Sequence, residues 1–381
     1  MDRAANPPEH HMITKAAEFS NRYITQGAAD WERQKGLPPE GIRPAAEAGL
    51  CGMLLAEDLG GKGLTKTAMA RVMEELSKAD MAYAFVMIVH NNLMNAIADN
   101  GTAEQKARYL PTMLSGDCLG AFLLTESQGG SDAANVTTTA RRENGGWIID
   151  GHKVWVSNAA TAGLLSVYAQ TDAGLGWRGI ACFLVEADCQ GVIREAPYAM
   201  MGAHAMGVGG FRFENCRVGD DAVLLPPGAG FKGAMAGIDL ARANVAAMCC
   251  GIMANSLEVA LAYCAERRLF GQRVADFQGL QWQLADVATD LHGARLMAAS
   301  ALATIDAGEG AAIPAAHAKK FATQAAEKGV AACMQAMGAN GYKHEYPLAR
   351  HLTCARMANY IDGTTEIQNV VISRDLLGPF V

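Results

Sequence analysis

The stretch GAFLLTESQGGSDAANV, residues 120–136, marks the place where the character of the chain changes. Before it, apolar residues recur at three- and four-residue spacing, as in TKTAMARVMEELSKAD (65–80), and this spacing predicts helices. From Leu119 to about Leu225 the chain alternates and is rich in Val, Ile, Phe, Trp and Thr, which predicts strands. After LLPPGAGF (224–231), helical spacing returns and continues almost to the end.

This order predicts a mostly α protein with a β domain between two helical domains. Inside the β domain, Asp150-Gly151 lies between two short strand-like runs and predicts a hairpin. Further strands are expected in GIACFLVEAD (179–188) and GGFRFENCRV (209–218). We expect an N-terminal helical domain over residues 1–119, a β-barrel-like middle domain over 120–225 and a C-terminal four-helix bundle over 226–381.

The composition argues against several function classes. The 381 residues carry a formal net charge of −7, and no run of Lys or Arg suggests a nucleic-acid surface. The ten cysteines show no metal-ligand spacing, so we expect no metal site and reduced thiols in a cytoplasmic protein. The most apolar stretch, 243–265, contains Asn244, Asn255 and Glu258, which favours a core helix over a membrane span. The first residues, MDRAANPPEHHMITK, lack the apolar segment of a signal peptide.

Two segments of the β domain suit a flat or phosphorylated ligand. In the first, Thr125-Glu126 ends a strand-like run and the small residues 129–132 follow, which lets a ligand approach the backbone closely, although such a sequence is also an ordinary turn. In the second, strand alternation places Trp155 and Ser157 on one face. An aromatic plane beside a hydroxyl could support a ring system, and the alternative is a packed core tryptophan.

A pair of arginines closes the long apolar stretch of the C-terminal half. Arg267 and Arg268 precede Phe270-Gly271 at the end of a predicted helix. Guanidinium groups in this position suggest contact with a phosphate or carboxylate, and the alternative is favourable placement of cations at a helix C-terminus.

Seven segments, taken together and in this order, are more specific than any one of them. They are LLAEDLGGKGL (54–64), GTAEQKARYLP (101–111), LLTESQGGSD (123–132), GHKVWVSNA (151–159), ERRLFGQRVADFQ (266–278), QAMGANGY (335–342) and DGTTEIQ (362–368). In these segments, over nearly its full length, the chain resembles the acyl-CoA dehydrogenases. The resemblance implies FAD as cofactor, a homotetramer, removal of the α and β hydrogens of an acyl-CoA thioester, and electron-transfer flavoprotein as electron acceptor. It also implies the domain order given above.

The resemblance also implies roles for single residues. The flavin ring would lie along Phe122, Leu124, Thr125 and Ser131, with Trp155 and Ser157 on its other side. The FAD pyrophosphate and adenosine would be held, partly from a neighbouring subunit, by Arg267, Leu269, Gln278, Gln335 and Gly338. The ribityl-phosphate region would contact Thr364 and Glu366. The acyl-CoA substrate would contact Ser131, Asp239, Arg242 and Gly363.

Asp362 falls where most members of the family carry the glutamate that abstracts the substrate α-proton. Aspartate is shorter by one carbon–carbon bond, about 1.5 Å, which matters in a site where small displacements cost rate. Some members place the base on the helix that here carries Ala241, which cannot act as a base. In the family, aspartate at the base position is associated with alicyclic substrates such as cyclohexanecarboxyl-CoA, and a short branched acyl group is the competing expectation.

Two other functions stay open on the sequence. Nitroalkane oxidases share the fold and use an aspartate at this place, but they pair it with an arginine where this chain has Asn369. A catalytically impaired FAD-binding relative is the other alternative. The Gly-x-Arg pattern of the family reads Gly202-Ala203-His204, so an arginine contact is expected to be lost.

Overall fold

The N-terminal region is helical. The computed structural model describes residues 7–378, so the outermost residues of the first and last predicted domains, 1–6 and 379–381, lie outside it. The side chains of Thr65, Asp80 and Thr102 cap three of the helices by accepting from the backbone N–H three residues later. The helices are α1 (Pro7–Phe19), α2 (Thr25–Gln34), α3 (Arg43–Glu47), α4 (Lys66–Ala79), α5 (Met81–Asn100) and α6 (Ala103–Leu114), with a π-helical turn at Ser20–Ile24.

Strands follow between Gly120 and Leu225. They form one sheet with the order β6-β7-β3-β2-β4-β5-β8, and β1 pairs in parallel with β4. The strands expected in residues 179–188 and 209–218 are confirmed as β5 and β7. The bounds are β1 (Gly120–Leu123), β2 (Thr139–Glu143), β3 (Gly146–Val156), β4 (Leu164–Gln170), β5 (Ile180–Glu186), β6 (Val192–Arg194), β7 (Gly209–Gly219) and β8 (Val223–Leu225).

The predicted hairpin at Asp150-Gly151 is wrong. Strand β3 continues through these residues, opposite a bulge in β7 where Asp150 Oδ1 accepts from the Asn215 N–H at 2.6 Å. The turn lies at Asn144-Gly145, between β2 and β3, with φ angles of 49° and 79°. Asn-Gly suits a two-residue turn with positive φ at both positions, so the chain turns there. Asp150-Gly151 instead stays within β3, opposite the bulge.

The sheet separates two hydrophobic cores. Strand β4 is buried along its whole length, with Leu165 and Val167 in the inner core of the β domain. Its residues Leu164 and Tyr168 belong to the larger core that the helices share. Burial on both faces fixes the sheet against the helical domains, so the ends of β1 and β3 are held rigidly.

Helices form the rest of the chain, apart from a small β-hairpin that the sequence reading did not anticipate. Helix α8 is buried all round over much of its length, as expected of a central core helix. The elements are α7 (Gly230–Ala236), α8 (Ile238–Glu266), β9 (Arg268–Leu269), β10 (Gln272–Arg273), α9 (Gln278–Asp306), α10 (Ala312–Ala336), α11 (Leu348–Ala358) and α12 (Thr365–Leu377).

Two helical segments, Met81–Asn100 and Gly230–Glu266, are long and apolar enough to cross a membrane by length and composition. Their most apolar windows are 72% and 61% buried inside the protein, respectively. Such burial is typical of core helices and makes the two segments weak evidence for membrane insertion.

Candidate active site

Asp362 lies in the tight turn that joins α11 to α12. Both Asp362 and Gly363 have left-handed backbones, with φ angles of 51° and 88°. Glycine adopts this conformation freely, and aspartate is among the few other residues that tolerate it. The turn is closed by a 3.2 Å hydrogen bond from the Thr365 N–H to the Asn359 carbonyl, and Thr364 caps α12 by accepting from the Ile367 N–H. The carboxyl group is therefore presented from a closed, well-defined loop.

Side chains from three helices meet this turn. Arg242, near the start of α8, directs Nε at the Asp362 carbonyl at 3.5 Å and donates through its terminal nitrogen to Asp239 Oδ1 at 3.2 Å. Lys319 of α10 donates to the Gly363 carbonyl at 2.7 Å, and Gln368 of α12 donates to the same oxygen at 2.9 Å. The turn is thus held through its backbone oxygens.

Burial and nearby cations shift the pKa of the Asp362 carboxyl group in opposite directions. Burial raises its pKa, while the nearby cations Lys319 and Arg242 lower it without cancelling the rise. Of the residues that the resemblance assigned to the substrate, Gly363 follows Asp362 in the turn, Arg242 contacts the turn, and Asp239 pairs with Arg242, whereas Ser131 lies in the β domain. A partly buried carboxylate with a raised pKa is suited to accept a proton.

A second group of predicted residues lies where β1 and β3 end. The Val154 N–H donates to the Thr125 carbonyl at 3.0 Å and joins the two segments. Phe122 is 42% exposed and Trp155 is 63% exposed, so two large aromatic side chains face outward from adjoining strands. Leu124, just after β1, is partly buried. Ser131 is exposed in the loop that follows.

The strand alternation predicted for Trp155 and Ser157 is broken in the structure. Trp155 has a left-handed φ of 56°, the register with β7 shifts there, and the strand ends at Val156. Ser157 begins a turn that Asn158 fixes by donating to the Gly120 carbonyl at 2.9 Å. The two side chains are therefore placed by a bulge and a turn, and the face that each presents does not follow from alternation.

This part of the β domain fits the FAD ring. Exposed aromatic faces are available at Phe122 and Trp155, and a Cβ added at Gly129 would meet nothing within 4 Å. A flat, partly apolar ring system needs such open, aromatic-lined surface beside polar loop groups.

The residues predicted to bind the pyrophosphate and adenosine lie elsewhere. Arg267 follows the last residue of α8, whereas Arg242 is near its start, and 25 helical residues correspond to about 37 Å. Within one chain, Arg267 therefore lies far along α8 from Arg242 and from the Asp362 turn that Arg242 contacts. The other residues of this group are Leu269 in β9, Gln278 at the start of α9, Gln335 near the end of α10, and Gly338 just beyond it. Thr364 and Glu366 stay with the Asp362 turn at the start of α12.

Sequence reasoning missed two buried lysines. Lys319 sits on the apolar face of α10, and a charged residue within an alanine-rich stripe is the signal that could have revealed it. Lys153 is fully buried and forms a 2.6 Å ion pair with Glu126, which also accepts from the N–H groups of Thr137 and Thr138. This pair closes the loop that carries Ser131.

At the position where the family pattern has an arginine, His204 contacts Glu32 instead. His204 Nδ1 lies 2.8 Å from Glu32 Oε1, and the His204 N–H donates to the other oxygen at 3.0 Å. Gly202 packs directly on α11, where an added Cβ would overlap Thr353. The loop is thereby tied to α2 and α11 without the arginine.

Comparison with known proteins identifies the three domains. Residues 7–117, 121–216 and 228–377 match the N-terminal, middle and C-terminal domains of acyl-CoA dehydrogenase, respectively. The mitochondrial short-chain specific acyl-CoA dehydrogenase of Bos taurus is 34% identical over 373 residues, covering 97% of this chain and 90% of that protein. Butyryl-CoA dehydrogenase from Megasphaera elsdenii has a TM-score of 0.95 and 29% identity, covering 99% of this chain and 100% of its own. A glutaryl-CoA dehydrogenase from Mycobacterium smegmatis, solved with FADH2, has a TM-score of 0.93 and 26% identity, covering 99% and 96%.

Proposed function

Because the chain belongs to the acyl-CoA dehydrogenase family of FAD-dependent oxidoreductases, we propose that it dehydrogenates a compact acyl-CoA thioester with Asp362 as the base. The observation that carries this proposal is the partly buried Asp362 carboxyl, with a raised pKa, between Arg242 and Lys319. A carboxylate whose pKa approaches the working pH is a more effective proton acceptor than one held far below it.

The chain's own groups divide the work of the reaction. Asp362 takes the α-proton. The N–H groups of Asp362 and Gly363 make no backbone hydrogen bond within residues 7–378, so they are available to the thioester oxygen, where negative charge develops. When bound, FAD supplies the acceptor for the hydride that leaves the β-carbon. The aromatic surface at Phe122 and Trp155 would position that ring, and the Arg242–Asp239 pair would orient the thioester side of the substrate.

The acyl group is proposed to be alicyclic or short and branched. The Asp362 carboxyl is retracted by about 1.5 Å relative to a glutamate, so the substrate Cα must approach the turn more closely. A ring or a branch next to the thioester brings bulk to that position. Similarity to relatives named short-chain and butyryl-CoA dehydrogenases also favours a compact acyl group.

A second copy of the chain is proposed to complete each FAD site within a homotetramer. The distance of about 37 Å along α8 separates Arg267 from Arg242. Next to Arg267, Phe270 is 93% exposed, and Trp282 on α9 is 63% exposed, which suits surface covered by another subunit. Electron-transfer flavoprotein is the proposed electron acceptor. A cytoplasmic location is proposed on the ten free thiols.

The test is anaerobic flavin bleaching by a panel of thioesters and nitroalkanes. The panel spans straight, branched and cyclohexanecarboxyl chains, with Asp362→Ala and Asp362→Glu beside the parent protein. We expect rapid bleaching by one compact thioester and none in the alanine variant. Bleaching by nitroalkanes alone would move the protein to the oxidase class, and firm FAD binding without bleaching would indicate an impaired relative.

Subunit complementation tests the shared FAD site. Arg267→Ala and Asp362→Ala each remove one half of a site that two chains would build. We expect each variant to be inactive alone and part of the activity to return when both are co-expressed, because some sites then receive both intact halves. If both halves come from one chain, no mixed site is intact and activity stays absent.

A further inference from the structure

Lys319 is buried, and no carboxylate within residues 7–378 contacts it directly. Its side chain is 0% exposed, while the adjacent Lys320 on α10 is partly exposed. Its ammonium donates to one oxygen, the Gly363 carbonyl, at 2.7 Å. Transferring a cation from water to a buried position is unfavourable unless hydrogen bonds and opposite charges compensate for the lost hydration. The placement of Lys319 therefore requires an explanation beyond packing.

The charged and titratable groups that face Lys319 come from helices α8 and α12 and from the turn. Asp362 and Glu366 raise its pKa, as does the Cys249 thiol, while Arg242 lowers it. Burial has the largest influence and brings the pKa of Lys319 to about 8. The group therefore carries its charge at neutral pH, close to the carboxylate that the proposed reaction uses.

The two backbone oxygens of the turn are both held by cations. Arg242 contacts the Asp362 carbonyl at 3.5 Å, and Lys319 binds the Gly363 carbonyl at 2.7 Å. Asp362 has a left-handed backbone, which is unfavourable for a residue other than glycine and persists only when its surroundings fix it. Lys319 thus combines a positional constraint on the turn with a charge near its carboxyl group.

We propose that Lys319 is a positioning residue for the base: it fixes the turn through the Gly363 carbonyl and keeps the Asp362 carboxyl ionised. This inference rests on the proposed function of Asp362. It predicts that a neutral residue at 319 would affect both the rate of proton abstraction and the pH at which the base becomes protonated. A role confined to packing would affect the rate of proton abstraction and leave the pH of protonation unchanged.

The experiment compares Lys319→Met and Lys319→Gln with Lys320→Met, a matched control on the same helix. Flavin bleaching by the best thioester is followed in single turnovers between pH 5 and pH 9, and FAD absorbance and thermal midpoint verify folding. We expect the Met variant to lose about tenfold or more in rate. The acid limb of its pH–rate profile, where the rate falls as the base becomes protonated, should move up by roughly one pH unit. The reason is that loss of a neighbouring cation raises the pKa of Asp362. The Gln variant is also neutral, so its acid limb should move the same way even if the Met variant does not fold.

An acid limb that stays in place in a folded neutral variant would overturn the inference, whatever happens to the rate. Equal behaviour of the Lys319 and Lys320 variants would overturn it as well. Failure of the proposed function is distinguishable, because then no thioester bleaches the parent protein.

Discussion

Two lysines are fully buried in the described part of the chain, and they serve different ends. Lys153, in the β domain, lies 2.6 Å from a Glu126 oxygen and 3.1 Å from the Leu124 carbonyl. Lys319, in α10, donates to the carbonyl of Gly363, and among the described residues neither Asp362 nor any other carboxylate is in direct contact with it. Both lysines have their pKa lowered to about 8 by burial. The difference lies in what the neighbouring carboxylate does.

The carboxylate of Glu126 accepts several hydrogen bonds, and that of Asp362 accepts none from the described residues. Burial raises the pKa of Glu126, but Lys153, Thr137 and Gln128 together lower it to about 2. Within residues 7–378 no side chain or N–H binds the Asp362 carboxylate, and its pKa is raised. A carboxylate in contact with its cation holds a loop together, whereas one separated from the cation by a peptide group can still accept a proton.

The largest effect expected from this contrast is on catalysis at Asp362. Asp362→Asn keeps the shape of the side chain and removes the base, so flavin reduction should slow by roughly a hundredfold to ten-thousandfold. Stability should be unchanged or higher, because a partly buried charge is removed. Stopped-flow bleaching and urea unfolding measure the two quantities, with Asp375→Asn on the exposed side of α12 as control. Retention of most of the rate would show that another group is the base.

The next effect is on stability at Glu126. Glu126→Gln leaves Lys153 buried without its counter-charge, so the free energy of unfolding should fall by about 3–5 kcal/mol. Adding Lys153→Met should recover much of this loss, because both charges are then gone. Glu143→Gln, at a surface ion pair with Arg217, is the control and should cost much less than Glu126→Gln, because exposed ion pairs contribute little to stability. If Glu126→Gln and Glu143→Gln lost similar amounts of stability, the buried pair would have no special structural role.

The two carboxylates should also give stability opposite pH dependences. The pKa of Glu126 falls from its ordinary 4.5 to about 2, so its contribution, about 3 kcal/mol, is present above pH 4.5 and lost as pH falls toward 2. Asp362 has a raised pKa, so its ionisation lowers stability as pH rises through its ordinary range. Urea unfolding from pH 3 to pH 7 tests both. The Glu126→Gln/Lys153→Met protein should lose less stability in acid than the parent, and Asp362→Asn should gain relative to the parent with rising pH.

The sequence was sufficient to predict the order of helices and strands because periodicity is local. Strands β5 and β7 and helix α4 follow directly from alternation and from three- and four-residue spacing. The hairpin was misplaced because Asp150-Gly151 and Asn144-Gly145 carry nearly the same local signal. Only the pairing of β3 with β7 decides which of the two turns the chain, and that pairing is not local.

The candidate site was predictable only in part for the same reason. Asp362 was identified because its motif matches a family pattern, not because its surroundings can be read from the chain. Lys319 lies 44 residues before Gly363, and Glu126 lies 27 residues before Lys153, so both contacts exist only once the helices and strands have packed. The separation of Arg267 from Arg242 likewise depends on α8 running as one helix from Ile238 to Glu266.

The smallest effect is expected at Gln368, and it separates hydrogen bonding from charge. Gln368 donates to the Gly363 carbonyl at 2.9 Å, as Lys319 does at 2.7 Å, but it is neutral. Gln368→Met removes one of two donors to this oxygen, so the bleaching rate should fall by about two- to tenfold, as for the loss of one net hydrogen bond. The acid limb of the pH profile should stay in place, because no charge near Asp362 changes. Single turnovers over the same pH range as for Lys319→Met measure both quantities. A limb that moves as far in Gln368→Met as in Lys319→Met would mean that the geometry of the turn, and not the lysine charge, sets the protonation of the base.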